Sequence, residues 1–412
     1  MLWKISRRAV LAASLAGIAG VGLSAPGAVQ AQEAIKLGAT IPMTGDLQAY
    51  GGTSANGIRL AIDEINADGG VLDRRLDLEI GDTRTTPQAG VDTANKLVSL
   101  QGVAGIVGAL SSGVTIPIAR SVSSRKEVPQ ISNASTSPTI TTLDDNGYLF
   151  RTVPSDALQG VVLGNLAYDK GLRTVSTVFV NNAYGEGLAS EFRKQFAARG
   201  GTVAESLPYE KGKASYRGEL GQAAKGGAEA LVLIGYPENG TTIIRQALEE
   251  GYFSRFVFTD GMKAPEVAEN IGGGYLDDSL GTTPTAPEGT DAKAHFQAAY
   301  ENAYGKLPPK PFIDTAYDAA YLLALAIEKA GASEGPAVRD ALHAVSGPPG
   351  TKVGPGDWAQ AREILGEGGD INYEGASGPV DFDENGDVPG LFEHWTFAGD
   401  SVETVEIIKP DL

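Results

Sequence analysis

The amino-acid sequence predicts an α/β fold made of two consecutive doubly wound units. Strand-like and helix-like segments alternate almost without interruption up to residue 153, and the same rhythm restarts after residue 154. Such alternation is typical of a parallel sheet that is covered by helices on both faces. The chain of 412 residues is also long enough for a leader and two domains of ordinary size.

The first unit is predicted from apolar runs and one amphipathic stripe. The helix over 53–67 is the clearest element, because Ile58, Ile62 and Ile65 lie on one face. A Gly-Gly pair after Asp68 ends it. The other elements predicted in this unit are strands over 34–41, 76–80, 103–107 and 128–132 and helices over 87–100 and 114–125.

The second unit repeats this order without a detectable sequence repeat. Its predicted strands cover 174–180, 202–207, 230–234 and 256–259, and its predicted helices cover 187–199, 216–225 and 241–250. The remainder is predicted to hold helices over 292–304, 313–330 and 334–345, a glycine- and proline-rich loop over 347–356, and β structure over 380–382 and 392–397.

The N-terminus has the pattern of an export signal. Lys4, Arg7 and Arg8 form a positive region, an apolar stretch follows over 9–23, and a small-residue cleavage motif ends at Ala31. The adjacent arginines fit a twin-arginine signal and an ordinary secretory signal equally well. We therefore expect the mature chain to begin near residue 32 and to work in the periplasm.

Composition and charge exclude several classes of protein. The full chain carries −18 and the leader contributes three positive charges and no acid, so the remainder carries −21. This balance argues against nucleic acid or anionic lipid as a partner. The chain has no cysteine, which excludes disulfides and thiol catalysis.

No residues with the spacing of a cofactor or metal site are found. His295, His343 and His394 are far apart in the sequence. The acidic run from Asp381 resembles the start of a calcium loop, but Phe392 stands where that loop needs a glutamate. No catalytic triad or phosphate-binding loop is visible. We expect no catalytic residues, no metal and no cofactor.

Two hydroxyl-rich segments follow predicted strands and indicate an anion site. Ser111 and Ser112 come after the strand over 103–107, and Ala134 to Thr136 come after the strand over 128–132. In open α/β sheets, ligands bind beyond the carboxyl ends of the strands. The alternative is that these residues only build turns and helix caps, which such segments often do.

The second unit offers comparable residues at its strand ends. Tyr184 follows the strand over 174–180, Tyr236 follows 230–234, and Asp260 follows 256–259. Each has a structural alternative, namely a core tyrosine or a helix cap. If the two units face each other, hydroxyl groups on one side and a carboxylate on the other could hold a zwitterion, since a buried charge needs a partner.

Several motifs in order resemble the type I periplasmic solute-binding proteins of branched-chain amino-acid ABC importers, the leucine/isoleucine/valine-binding family. The segments that carry the resemblance span the mature chain: 38–45, Tyr50-Gly51, 57–70, 131–138 and 184–187. The resemblance implies two Rossmann-like lobes joined by a three-strand hinge that closes on one ligand. It also implies a membrane permease as partner and a monomeric binding protein that is not an enzyme.

The resemblance assigns roles to individual residues. It implies that Ser112 and Thr136 bind the ligand carboxylate, and that the Ala134 carbonyl and Asp260 bind the ammonium. It implies that Tyr50, Tyr184 and Tyr236 wall the pocket. Asp260 stands where some members have glutamate, and the family's disulfide is missing.

The resemblance also gives lobe boundaries. The first lobe would comprise 32–153 and 282–388, and the second 154–281 and 389–412, with residues 354–372 as an insertion of unknown role. Two other solutes remain possible on the same fold, a urea or short amide and an aromatic acid, and a sensory binding protein is a further alternative.

Overall fold

Two large β-sheets organise the chain in a computed structural model that describes residues 33–410. The predicted leader over 1–31 lies outside the described residues. Within 33–410, no helix combines the length and the apolar character that a membrane span requires.

The first sheet has five parallel strands in the order β2-β1-β3-β4-β5. Its strands are β1 (Ile35–Ile41), β2 (Leu76–Asp82), β3 (Gly105–Gly108), β4 (Gln130–Ser132) and β5 (Leu149–Arg151). The helices between them are α1 (Gln48–Ala67), α2 (Pro87–Lys96), α3 (Ser112–Ile118), α4 (Ser124–Lys126) and α5 (Pro138–Thr141), with π-helical turns at Leu97–Gln101 and Ala119–Ser123. We call the part built on this sheet the first lobe.

The second sheet has seven strands in the order β15-β14-β10-β9-β8-β6-β7, and we call the part built on it the second lobe. Its parallel strands are β6 (Thr174–Val180), β7 (Thr202–Tyr209), β8 (Ala230–Ile234), β9 (Phe256–Phe258) and β10 (Leu280–Thr285). Its helices are α6 (Asp156–Asp169), α7 (Ala183–Ala198), α8 (Arg217–Ala223), α9 (Pro237–Glu249) and α10 (Pro265–Ile271). Two antiparallel strands from the end of the chain complete it, β14 (Leu391–Ala398) and β15 (Ser401–Ile408).

The segment between β10 and β14 returns to the first lobe. It contains α11 (Asp291–Tyr304), α12 (Asp314–Ala330), α13 (Gly335–Ser346), β11 (Thr351–Val353), α14 (Trp358–Gly366), β12 (Ile371–Gly375) and β13 (Gly378–Pro379). Helix α12 packs between α1 and α13, and 13 of its 17 residues are buried. Its sequence is apolar on nearly every side, as expected for a helix without a solvent face.

The chain passes between the lobes three times: from β5 to α6, from β10 to α11, and from β13 to β14. This connectivity confirms the predicted two-lobe α/β fold with a three-strand hinge. In each lobe the parallel strands direct their carboxyl ends toward the other lobe, so the loops after β3, β4, β6, β8 and β9 meet at one cleft.

Helix α1 begins at Gln48, five residues before the predicted start. Its glycines lower the helix propensity of this segment, so the first turns are hard to predict from the sequence. Two of these glycines are required by close packing. A Cβ on Gly51 would lie 2.1 Å from the Pro42 carbonyl oxygen, and one on Gly57 would lie 2.3 Å from that of Ile313.

The prediction of β structure over 380–382 is wrong. Val380 is buried and Phe382 packs its ring 5.0 Å from Phe150, but the backbone of this segment joins no sheet. Its alternating apolar pattern therefore reflects packing against the core. The predicted loop over 347–356 is also only partly correct, because β11 lies within it and pairs with β12.

Several elements have no counterpart among the predictions, and α6, β10 and β15 are three of them. Strands β10 and β15 are rich in glycine, threonine and glutamate, so they lack the apolar run that marks the other strands. Helix α7 begins at Ala183, which places Tyr184 in its first turn and not in a loop.

Candidate functional site

The first-lobe side of the cleft is formed by the loops after β3 and β4. Ser112 is the first residue of α3 and is buried. Its Oγ accepts a hydrogen bond from the Ser137 backbone N–H at 3.2 Å. Since a hydroxyl carries one proton, Ser112 still has a proton to donate into the cleft.

Buried hydroxyl groups join these two loops by hydrogen bonds. The Oγ atoms of Ser132 and Ser135 lie 2.6 and 3.1 Å from the Ala109 carbonyl oxygen, and Thr115 Oγ1 lies 3.0 Å from the same atom. They satisfy a carbonyl that the end of β3 leaves outside the sheet. Part of the hydroxyl-rich pattern is therefore structural, as the alternative interpretation held.

The second-lobe side is formed by the starts of α7 and α9 and by the turn after β9. Asn182 caps α7 by accepting from Gly185 N–H at 3.0 Å, which fixes Tyr184 in the first turn. Tyr184 stacks on Tyr236 with ring centroids 5.7 Å apart. The two rings form one wall of the cleft.

Asp260 is buried at the beginning of a 3₁₀ turn, Asp260–Met262. Its Oδ1 accepts hydrogen bonds from Tyr184 Oη at 2.9 Å and from Gln159 Nε2 at 3.0 Å. Burial raises the pKa of Asp260 to about 6, although these hydrogen bonds act in the opposite direction. No lysine, arginine or histidine within residues 33–410 forms an ion pair with the Asp260 carboxylate.

Asp156, the first residue of α6, carries a second buried carboxylate nearby. It is not among the predicted site residues. Its Oδ2 accepts from Thr136 Oγ1 at 2.9 Å, and its backbone N–H donates to the Thr136 carbonyl at 2.7 Å. Its Oδ1 is buried and has no hydrogen-bond partner among the described residues. Burial, and then the charge of Asp260, raise the pKa of Asp156 well above its usual value.

Several of these groups line a small cavity between the lobes. It is lined by six of the predicted residues, which are Tyr50, Ser112, Ala134, Tyr184, Tyr236 and Asp260. Four further residues line it that were not predicted, which are Leu47, Leu110, Gly261 and Phe312.

Two predicted residues lie behind the cavity wall. Thr136 is buried against Asp156, and Ser111 places its Oγ 3.0 Å from Tyr236 Oη. When Asp156 is ionised, the Thr136 hydroxyl gives it its only proton. This geometry favours a role for the Thr136 oxygen as an acceptor, which differs from the carboxylate-binding role that the resemblance implies for its side chain.

The lobes are closed on this cavity. Tyr50 Oη on α1 donates to the Gly261 carbonyl of the second lobe at 3.0 Å, and the Ser111–Tyr236 contact also joins the two lobes. Phe312, which precedes α12, packs edge-on against Tyr50 at 6.3 Å. The sequence has no signal for Phe312, because it reaches the cleft only when the chain returns from the second lobe.

A larger cavity lies on the far side of Phe312, where the three connections between the lobes run side by side. Four of its charged residues form ion pairs, Lys263 with Glu393 and Lys293 with Glu288. Asp314 also lines it and forms no ion pair among the described residues, and burial raises the pKa of this carboxyl.

Within residues 33–410, no three histidine, cysteine or acidic side chains are grouped as a metal site would need. The three histidines have separate neighbours: His295 contacts Glu64, His394 contacts Glu406, and His343 packs beside Phe150.

Comparison with known proteins places this geometry in context. The family model described as "Periplasmic binding protein" matches residues 34–363. A leucine-, isoleucine-, valine-, threonine- and alanine-binding protein of Pseudomonas aeruginosa is 31% identical over 341 residues, which cover 82% of this chain and 87% of that protein.

Two further relatives cover nearly the whole chain. A chemotactic signal transduction substrate-binding protein of Halobacterium salinarum, BasB, is 27% identical over 389 residues, or 92% of this chain and 91% of that protein. The crystal structure of a leucine-binding protein of Thermotoga maritima superposes with a TM-score of 0.78 at 26% identity, covering 92% of this chain and 99% of that one.

Proposed function

Because the chain belongs to the periplasmic binding protein family, whose members bind solutes and are not enzymes, we propose that it captures a small aliphatic amino acid by closing its two lobes. The observation that carries this proposal is the pair of buried carboxylates on Asp156 and Asp260. Asp260 lines the cavity and Asp156 is buried nearby, and two buried carboxylates are costly to ionise unless a cation joins them. The ammonium group of an amino acid supplies that cation.

The ammonium is assigned to the side of the cavity that Asp260 lines, with Asp156 buried nearby. The unpartnered Oδ1 of Asp156 and the Asp260 carboxylate offer it charged acceptors, and the Thr136 oxygen and the Ala134 carbonyl add neutral ones. Charge-assisted hydrogen bonds of this kind are about twice as strong as neutral ones.

The ligand carboxylate is assigned to Ser112. Its Oγ already accepts from the Ser137 N–H, so its proton is available to an acceptor in the cavity that Ser112 lines. Leu47, Leu110 and Phe312 then provide an apolar surface for the ligand side chain, with the Tyr184–Tyr236 pair opposite. An aliphatic side chain suits this surface because it brings no polar atom that would need a partner.

Delivery to an ABC permease from the periplasm is part of the same proposal. It is supported by the predicted export signal and by the relatives, several of which are leucine-, isoleucine- and valine-binding proteins. The relationship to a chemotactic substrate-binding protein supports a second candidate, in which the closed form signals to a receptor. Both candidates use the same ligand site, and neither depends on more than one copy of the chain.

A solute screen with one variant tests the proposal. We expect leucine, isoleucine or valine to raise the melting temperature, and urea, acetamide and benzoate to leave it unchanged, because none of these three carries an ammonium. In calorimetry, Asp260→Asn should weaken binding at least about tenfold, equivalent to 1.4 kcal/mol.

The control is Asp278→Asn, which removes the same charge from an exposed position of the second lobe. It should bind as the parent protein does. Unchanged affinity of Asp260→Asn would contradict the ammonium assignment, and a melting-temperature shift with benzoate alone would contradict the amino-acid assignment.

A further inference from the structure

An ion pair joins the two lobes at the margin of the cleft. Asp46 lies between β1 and α1 in the first lobe, and Lys211 follows β7 in the second. Asp46 Oδ2 is 3.0 Å from Lys211 Nζ, and Asp46 Oδ1 accepts from Asn239 Nδ2 at 2.7 Å. Both oxygens of this first-lobe carboxylate are therefore bound by residues of the second lobe.

The second lobe holds Asn239 ready for this contact. Asn239 is buried on α9, and its Oδ1 accepts from Gly212 N–H and from Tyr216 Oη, each at 2.8 Å. With its oxygen fixed by its own lobe, its amide N–H₂ is directed toward the first lobe. Lys211 Nζ adds a further hydrogen bond across the cleft, to the Thr85 carbonyl at 2.7 Å.

A second ion pair, with the polarity reversed, lies at another point of the margin. Here the cation comes from the first lobe, on Lys310, and the acid comes from the second, on Glu266 of α10. Lys310 also donates to the Ala49 carbonyl at 2.9 Å. Two pairs of opposite polarity favour one alignment of the lobes, because a shifted closure would bring like charges together.

None of these charged residues lines the cavity that we assign to the ligand. They are nevertheless coupled to it through the chain, since Leu47 and Tyr50, on the same segment as Asp46, form part of its wall. Any effect they have on binding must therefore act through the closed arrangement of the lobes.

We propose that Asp46, Lys211 and Asn239 form a latch that is made on closure and sets how long the ligand stays bound, without touching it. This inference rests on the proposed function. Opening the lobes breaks the contacts of Asp46 with Lys211 and Asn239 and the hydrogen bond from Lys211 to Thr85. The latch therefore stabilises only the closed state. The side chain of Asp46 is 17% exposed and that of Lys211 is 28% exposed, so dissolved salt weakens their ion pair.

Dissociation kinetics test the latch. For leucine measured by stopped flow, Lys211→Met and Asp46→Asn should each raise the dissociation rate constant about three- to tenfold, and the association rate constant should stay within about twofold. Raising NaCl from about 50 mM to about 500 mM should speed dissociation from the parent protein, and should have a smaller effect on Lys211→Met, in which only the Lys310–Glu266 pair still joins the lobes.

Two matched variants separate the latch from a general effect of charge. Asp169→Asn removes an ion pair with Arg199 that lies within the second lobe, at 2.5 Å, and should leave leucine dissociation unchanged. Exchanging the charges, Asp46→Lys together with Lys211→Asp, should recover part of the loss caused by Lys211→Asp alone.

The two proposals fail differently. If leucine binds and the latch variants dissociate at the parental rate, the latch is wrong and the proposed function stands. If no amino acid binds, the proposed function fails, and the latch is then tested on the chain without ligand.

Because the sequence has no cysteine, spin labels at Lys306→Cys and Glu269→Cys report one distance between the lobes. Lys211→Met should reduce the population at short distance, and identical distributions would overturn the latch.

Discussion

The hydroxyl groups of Ser112 and Thr136 look equivalent in the sequence but have opposite hydrogen-bonding roles in the structure. Ser112 accepts from a backbone N–H and keeps a proton to donate, while Thr136 gives its proton to Asp156 and keeps an oxygen to accept. One therefore suits a carboxylate and the other an ammonium. A single threonine-to-serine or serine-to-threonine exchange would preserve both roles, whereas a change in their partners would not.

The charge of Asp260 should oppose stability and support binding. Its pKa of about 6 lies above the 3.8 of an ordinary aspartate, so the folded protein binds this proton more tightly than the unfolded chain does. The free energy of unfolding of the empty protein is therefore lowered by this group above about pH 6, and the deficit disappears as the pH falls toward 4.

We expect Asp260→Asn to raise the free energy of unfolding of the ligand-free protein near pH 7 by up to about 3 kcal/mol, because the variant has no carboxylate to bury. Denaturation at several pH values measures this gain, which should shrink toward zero near pH 4. Leucine affinity of the parent protein should fall over the same range as Asp260 takes up its proton. A variant that is less stable than the parent at neutral pH would contradict this account.

The residues that line the cavity were predictable from the sequence where they come after a strand. Ser112, Ala134, Tyr184, Tyr236 and Asp260 line the cavity because each comes after a strand whose carboxyl end faces the cleft. Two other residues of the site could not be predicted in this way. Asp156 has the ordinary place of an acid in the first turn of a helix, and Phe312 reaches the cavity only through the return of the chain.

At the scale of elements, α1 shows how packing overrides helix propensity. Gly51 and Gly57 weaken an isolated helix, yet their missing side chains let α1 approach the loop after β1 and the start of α12. Gly52 is different, because it is exposed and a Cβ there would have no neighbour within 4 Å.

This contrast gives a matched pair of substitutions in one helix. Gly57→Ala should lower the free energy of unfolding by about 1–3 kcal/mol, because its methyl group would collide with the Ile313 carbonyl. Gly52→Ala should raise it by about 1 kcal/mol through helix propensity alone. Urea denaturation measures both, and equal effects of the two substitutions would show that close packing does not limit this helix.

Strands were predictable where they are apolar and central. Strand β8 is buried along its whole length and coincides with its prediction, whereas β10 and β15 are polar or glycine-rich and were missed. Val380 and Phe382 show the converse, since they are apolar and pack against the core without being part of a strand. Burial pattern alone therefore does not separate strand pairing from packing against the core.

At the scale of the whole molecule, a buried ion pair ties the hinge to the site. Arg151 at the end of β5 binds both oxygens of Asp387, which lies in the third connection between the lobes, at 2.6 Å each. The same guanidinium donates to the Ser137 carbonyl at 3.0 Å. Arg151 thus supports the loop that carries Thr136 while it fixes two of the three connections.

We expect Arg151→Met to lower the free energy of unfolding by about 3–5 kcal/mol, because it leaves Asp387 without its cation. Leucine binding should weaken as well, since the Ser137 backbone that contacts Ser112 loses its support. Chemical denaturation and calorimetry measure the two effects. Arg339→Met, which removes an ion pair between the neighbours Arg339 and Asp340 at the surface, serves as the control and should change stability by less than about 1 kcal/mol.

The three passages of the chain between the lobes also determine the order in which the molecule can be completed. Helix α12 covers α1, yet it is synthesised after the strands and helices of the second lobe from α6 to β10. The second sheet in turn receives β14 and β15 last. The first lobe therefore cannot be completed until most of the second has been synthesised, and a chain cut before residue 291 would leave the apolar face of α1 in water.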